Sequence, residues 1–142
     1  MIVQSSLLLV LLPIVAGMQA VMAVLNLRLD RLLKWESELV RMPLLFREVF
    51  QVHKWFISVT LAIFAAMTWR FGSEMAHGTD AACQWLAALI GAFWAIRTLL
   101  QVAYYSSSHW RGRLDRTVIH VILLSCYGGF SFVYLVSAFG PH

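Results

Sequence analysis

The 142-residue chain is dominated by apolar side chains, with 61% hydrophobic and only 13% charged residues. With a mean hydropathy of +0.75, the chain has more apolar surface than a soluble protein could bury in its core. The composition therefore indicates an integral membrane protein that contacts the lipid bilayer. The net charge of +4 lies in short loops, which excludes the basic folded surface that a nucleic-acid-binding protein needs.

Four apolar stretches are each long enough to cross a bilayer as a helix, which takes about 20 residues. They cover about residues 3–27, 48–70, 82–104 and 117–139. Short loops between consecutive spans favour antiparallel neighbours. The sequence therefore predicts an all-α integral membrane protein in which residues 1–142 form a single transmembrane domain, an up-down-up-down bundle of four helices.

The first span differs from a secretory signal peptide, which carries a positive charge before its apolar run. Here the first basic residue, Arg28, follows that run. We expect a retained transmembrane helix. Pro13 lies within this span and should kink the helix without ending it, because neighbouring helices can satisfy the freed carbonyl.

The segment from Arg28 to Arg47 is the longest polar stretch of the chain. Its leucines recur at helical spacing while its charged residues take other faces, a pattern typical of a helix at the membrane interface. Residues 28–41 form either such a separate interfacial helix or a continuation of the first span. Pro43 should mark the start of the second span, since proline is favoured in a first helical turn.

The distribution of basic residues predicts the orientation, because loops rich in Lys and Arg stay in the cytoplasm. Arg70 alone lies at one side of the spans. The opposite side carries Arg28, Arg31, Lys34, Arg41, Arg47, Lys54, Arg111, Arg113 and Arg116. We expect both termini outside the cytoplasm, in a bacterial inner membrane.

Two short loops should connect the remaining spans. Residues 71–81 form the outer loop, with Gly72, Gly78 and Asp80 as turn and capping residues. Residues 106–116 form the inner loop.

Polar side chains inside the spans carry most of the functional information, because hydrocarbon penalises them unless they pair or line a cavity. They project from one face of the third span and one stripe of the fourth, with a histidine near the start of the second. At about 1.5 Å per residue, they lie roughly 4–10 Å from the cytoplasmic ends of their spans. The candidate cofactor-binding residues are His53, Arg97, Gln101, Tyr104, His120 and Tyr127.

Two cofactors fit this set of side chains. A b-type haem would take its axial nitrogens from His53 and His120, the only metal ligands that the sequence suggests, with Arg97 near the propionates. A quinone headgroup would be held by His120 and Arg97. Its isoprenoid tail would lie among Phe93, Trp94 and Phe130.

Structural roles compete with both cofactors. Arg97 could pair with Glu48 and hold two helices together, as in a non-catalytic subunit of a larger membrane complex or a homo-oligomer. The Arg97 face could instead bind an anionic headgroup in a lipid-handling or transport protein. The sequence singles out no catalytic residue, and whether the protein is an enzyme stays open.

Overall fold

The computed structural model describes residues 2–28, 31, 36–103 and 114–141, and these residues contain helices and no β-strand. The helices are α1 (Ile2–Leu27), α2 (Glu36–Arg41), α3 (Leu44–His77), α4 (Ala81–Ala103) and α5 (Leu114–Phe139). All except α2 are long and apolar enough to cross a membrane. The predicted all-α membrane fold with four spans is confirmed.

Helix α1 continues through Pro13 and ends at Leu27. The backbone N–H of Arg28 donates to the Leu25 carbonyl over 3.1 Å, which tightens the last turn. A short separate helix, α2, follows at Glu36–Arg41. Residues 29–30 and 32–35 lie outside the described residues, so which of the two predicted arrangements joins these helices stays a prediction.

Helix α3 begins directly after Pro43, as the sequence predicts, and the Pro43 carbonyl accepts the N–H of Arg47 over 3.2 Å. The helix runs on to His77, seven residues beyond the predicted end at residue 70. The predicted outer loop is therefore mostly helical. Gly72 is a buried helical residue rather than a turn residue.

Packing explains why α3 continues beyond its most apolar part. Met75 and Ala76 are completely buried. The hydroxyl of Ser137 on α5 donates to the Met75 carbonyl over 2.9 Å. Packing of this kind stabilises a helical turn even where its sequence is more polar. Hydropathy alone therefore underestimates the length of the helix.

The turn between α3 and α4 uses two residues that the sequence indicates. Gly78 adopts a positive φ of 63°, which glycine accommodates without strain and which ends α3. Asp80 caps α4: its carboxylate accepts the backbone N–H of Cys83 over 3.0 Å. This hydrogen bond holds the pKa of Asp80 below its ordinary value of 3.8.

The chain divides into two compact units. The first unit comprises Met1–Leu12 and Phe71–His142, and the second comprises Pro13–Arg70. In the first unit α4 packs against α5, and Ser131 donates to the Gly91 carbonyl over 3.1 Å. That the whole chain forms a single domain stays a prediction.

Candidate functional site

Helices α4 and α5 approach closely at Gly91. A Cβ atom placed on Gly91 would lie 2.9 Å from the Leu135 side chain and 3.2 Å from the Leu135 backbone nitrogen. Close approach at a glycine is typical of packed transmembrane helices. Side chains further along α4 can therefore reach across to α5.

One such contact joins Gln101 to His120. The Gln101 side chain is only 3% exposed, and its Nε2 lies 3.0 Å from Nδ1 of the half-buried His120 ring. An amide nitrogen is a donor only, so this contact is a hydrogen bond in the ring tautomer whose Nδ1 accepts. The other amide atom, Oε1 of Gln101, is buried and has no hydrogen-bond partner among the residues that the structure describes.

Arg97 lies one helical turn before Gln101 on α4. Its guanidinium carbon is 4.8 Å from the centroid of the Tyr127 ring, a cation–π contact with α5. The Arg97 side chain is half-buried. Among the side chains that the structure describes in the first unit, no carboxylate pairs with it, and the Tyr127 ring is its contact there.

Tyr127 also belongs to an aromatic group. It stacks on Trp94, with ring centroids 5.2 Å apart and planes inclined by 24°. Phe130 meets Trp94 edge-on at 4.9 Å, and Phe93 does so at 5.5 Å. Trp94 and Phe130 are each only 2% exposed. This packed group fixes Tyr127 beneath the Arg97 guanidinium.

The structure places four of the predicted residues in two pairs across α4 and α5, Arg97 with Tyr127 and Gln101 with His120, and we call these four residues the polar cluster. Of the other two predicted residues, the structure describes one. His53 lies on α3 in the second unit, where its side chain is exposed. Tyr104 lies outside the described residues. Haem ligation by His53 and His120 stays a prediction.

Metal ligation by a larger group of side chains has no geometric support in the described ranges. They contain no set of three or more His, Cys, Asp or Glu residues that could hold a metal ion. His109, which the sequence places in the inner loop, lies outside the described residues.

A second polar contact, in the second unit, was not predicted from the sequence. The Asn26 amide donates to the Lys54 carbonyl and to the Ser58 hydroxyl, each over 2.9 Å. Gln19 is completely buried on the same helix. The spacing of these two amides, two helical turns apart in an apolar span, could have indicated a shared buried face.

The second unit also contains an apolar groove with a volume of about 740 Å³. Small side chains of α1 and α3 line it, including those of Ala20 and Ala62. The exposed rings of Trp55 and Trp69 are also among its lining residues. The groove resembles the close-packing surface of a transmembrane helix pair and lacks the charged groups of the polar cluster.

Comparison with protein-family models, curated proteins and solved structures finds no match to this chain.

Proposed function

We propose that this integral membrane protein binds a quinone at the polar cluster and takes part in membrane electron transfer. The observation that carries the proposal is the unpartnered acceptor of buried Gln101 beside the charged donor Arg97. Polar groups placed within membrane spans are costly, and they commonly mark a ligand or ion pathway. The basic-residue distribution would put this site in the cytoplasmic leaflet of a bacterial inner membrane.

The polar cluster complements a quinone headgroup chemically. A quinone ring carries two carbonyl acceptors, and the Arg97 guanidinium supplies charged N–H donors. Reduction converts the carbonyls to hydroxyls, which can donate to Gln101 Oε1. Residues four apart on a helix have Cβ atoms about 5–6 Å apart, so Arg97 and Gln101 can contact one small ring together.

The surroundings of the polar cluster suit an isoprenoid tail. Phe93 is half-buried beside Trp94, and Leu100 and Ile96 are exposed on the same helix. In a membrane these apolar side chains would face hydrocarbon, where a tail can lie without exposure to water. Binding sites of this kind combine mostly apolar walls with a few polar groups that orient the ligand.

The orientation of the Gln101 amide supports quinone rather than haem. An axial histidine usually donates its Nδ1–H to an acceptor and coordinates iron through the lone pair of Nε2. Here Gln101 places an amide nitrogen, which is a donor, against Nδ1 of His120 where haem ligation calls for an acceptor. His53, the second ligand that haem would need, is exposed in the second unit.

An anionic lipid headgroup fits the polar cluster less completely. A phosphate group alone would pair with Arg97, but its oxygens are acceptors, so Gln101 Oε1 would stay unpartnered unless the headgroup also carried a hydroxyl or ammonium donor. A purely structural role for the polar cluster leaves the same buried acceptor unexplained. A quinone that binds in its reduced, hydroxyl-bearing form accounts for both groups at once.

Isothermal titration of the detergent-purified protein with decylubiquinone tests the proposal. We expect saturable binding at one site, and we expect His120→Leu to weaken binding of the reduced form, decylubiquinol, about threefold to tenfold, because that change removes the hydrogen bond that holds the Gln101 oxygen toward the ligand. His53→Leu is the matched control and should leave binding unchanged. Circular dichroism melting would establish that both variants are folded.

Three outcomes would contradict the quinone proposal. One is the absence of decylubiquinone binding, and another is equal loss of binding in the two histidine variants. The third is a haem absorption spectrum in the purified protein that disappears in each histidine variant, which would support the bis-histidine site instead.

A further inference from the structure

Gln101 presents a buried hydrogen-bond acceptor that no described part of the chain satisfies. The side chain is 3% exposed, its Nε2 is engaged by His120, and its Oε1 has no partner among the described residues. Buried amide oxygens in folded proteins are nearly always bonded, so an unpartnered one needs an explanation. A ligand that supplies a donor at this position provides one.

The chemistry of Gln101 Oε1 restricts what that ligand can be. An amide oxygen accepts hydrogen bonds and cannot donate them. The oxidised headgroup of a quinone offers only carbonyl oxygens, which are acceptors as well. The reduced headgroup carries hydroxyls, which can donate. Given the quinone site proposed above, we infer that Gln101 makes this site selective for the reduced, hydroxyl-bearing quinol over the oxidised quinone.

His120 is the positioning residue in this arrangement. The Gln101 amide can present its oxygen to the ligand only while its nitrogen faces His120. The opposite amide orientation would direct the oxygen to His120 and a donor to the ligand. That orientation would favour the oxidised quinone. Whether the protein binds the quinol or the quinone more tightly therefore shows which end of the Gln101 amide faces the ligand.

Arg97 cannot produce this selectivity by itself. Its guanidinium donates, and both the carbonyl of a quinone and the hydroxyl oxygen of a quinol can accept from it. Its interaction with the Tyr127 ring does not depend on the redox state of a ligand. The difference in affinity between the two headgroups therefore depends on Gln101.

Three probes separate the hydroxyl donor from the rest of the headgroup. They are decylubiquinol, decylubiquinone and the dimethyl ether of decylubiquinol, which keeps the reduced ring but has no O–H. Anaerobic titrations of the full-length protein should show the quinol binding about tenfold more tightly than the other two, as expected for one buried hydrogen bond. Equal affinity for the quinol and its ether, or tighter binding of the quinone, would overturn the inference.

Gln101→Met should abolish the preference for decylubiquinol over decylubiquinone and over the ether, because methionine has a similar shape without the acceptor. Gln84→Met, at the other end of α4, is the matched control and should retain the preference. If Gln101→Met does not fold, Gln101→Asn, which withdraws the acceptor by one methylene, should reduce the preference.

The two proposals fail in different ways. If none of the three probes binds, the quinone site itself is wrong. If all of them bind with equal affinity, the site stands and only the selectivity assigned to Gln101 is wrong. If the preference persists in Gln101→Met, another residue produces it and the inference is likewise overturned.

Discussion

The Gln101 amide and the His120 imidazole lie 3.0 Å apart, and their contact links α4 to α5 within the first unit. It converts two polar side chains that hydrocarbon would penalise into a hydrogen-bonded pair. Arg97 reaches the same helix pair through the Tyr127 ring, 4.8 Å from its guanidinium carbon. The polar cluster is thus anchored on both helices.

Replacement of Arg97 by methionine distinguishes two roles for this residue: binding a ligand, or holding two helices together through an ion pair. We expect the unfolding temperature in detergent to change little, since a cation–π contact contributes about 0.5–2 kcal/mol, whereas decylubiquinone affinity should fall about tenfold with the loss of a charged donor. Adding Glu48→Gln should change neither value further.

Glu48 serves as the control for the structural alternative, because the sequence suggests it as a partner of Arg97 and its side chain is exposed. If Arg97→Met strongly destabilised the protein and Glu48→Gln restored its stability, the two residues would be a buried pair. The role of Arg97 as a ligand-binding group would then be wrong.

Gly91→Ala tests whether close helix approach supports the polar cluster. The added methyl would lie 2.9 Å from the Leu135 side chain, so we expect a loss of about 1–3 kcal/mol in the free energy of unfolding and weaker quinone binding. Leu135→Ala in the same chain should recover part of the loss. Gly129→Ala, where a Cβ meets nothing within 4 Å, is the matched control and should be neutral.

A stable, fully binding Gly91→Ala protein would contradict this account of the helix contact. The same would follow if Gly129→Ala were as damaging as Gly91→Ala, because glycine replacement as such would then be the cause.

The four membrane spans, and the face of α4 that carries Arg97 and Gln101, could be predicted from the sequence. Each depends only on the order of residues within one segment. Hydropathy identifies apolar helices, and a spacing of four places Arg97 and Gln101 on one side. The end of α3 was missed because buried Met75 extends the helix beyond its apolar run until Gly78 ends it.

The contacts across helices could not be predicted in the same way. Whether Gln101 meets His120 depends on how each helix is rotated about its axis, and close approach at Gly91 determines that rotation in three dimensions. The stacking of Trp94 on Tyr127 depends on the same packing. The sequence identified the side chains of the polar cluster but could not assign their partners.

Asp80→Ala should lower the unfolding temperature by removing the cap of α4. Because the pKa of Asp80 is lowered in the folded protein, the charged cap stabilises fully above the ordinary value of 3.8 and loses its effect as pH falls through the lower folded-state pKa. The deficit of Asp80→Ala should therefore be constant near neutral pH and shrink in acid. Asp80→Asn should retain part of the cap without this pH dependence; a deficit that grew in acid would contradict the assignment.

Accessibility of introduced cysteines tests the predicted orientation. In a Cys83→Ala, Cys126→Ala background, Thr79→Cys should react with an impermeant maleimide from outside the cell, since Thr79 is exposed in the turn before α4. Ser107→Cys, outside the described residues, should react only after the cytoplasmic side is opened. Labelling of both positions from the same side would refute the four-span topology.

Photoaffinity labelling with an azido-quinone tests the central claim most directly, because it reports where the headgroup lies. After irradiation and proteolysis, mass spectrometry should find the label on α4 and α5 between residues 93 and 130, and excess decylubiquinone should prevent it. Arg97→Met should reduce the labelling. Label confined to the second unit, or unaffected by the competitor, would contradict quinone binding at the polar cluster.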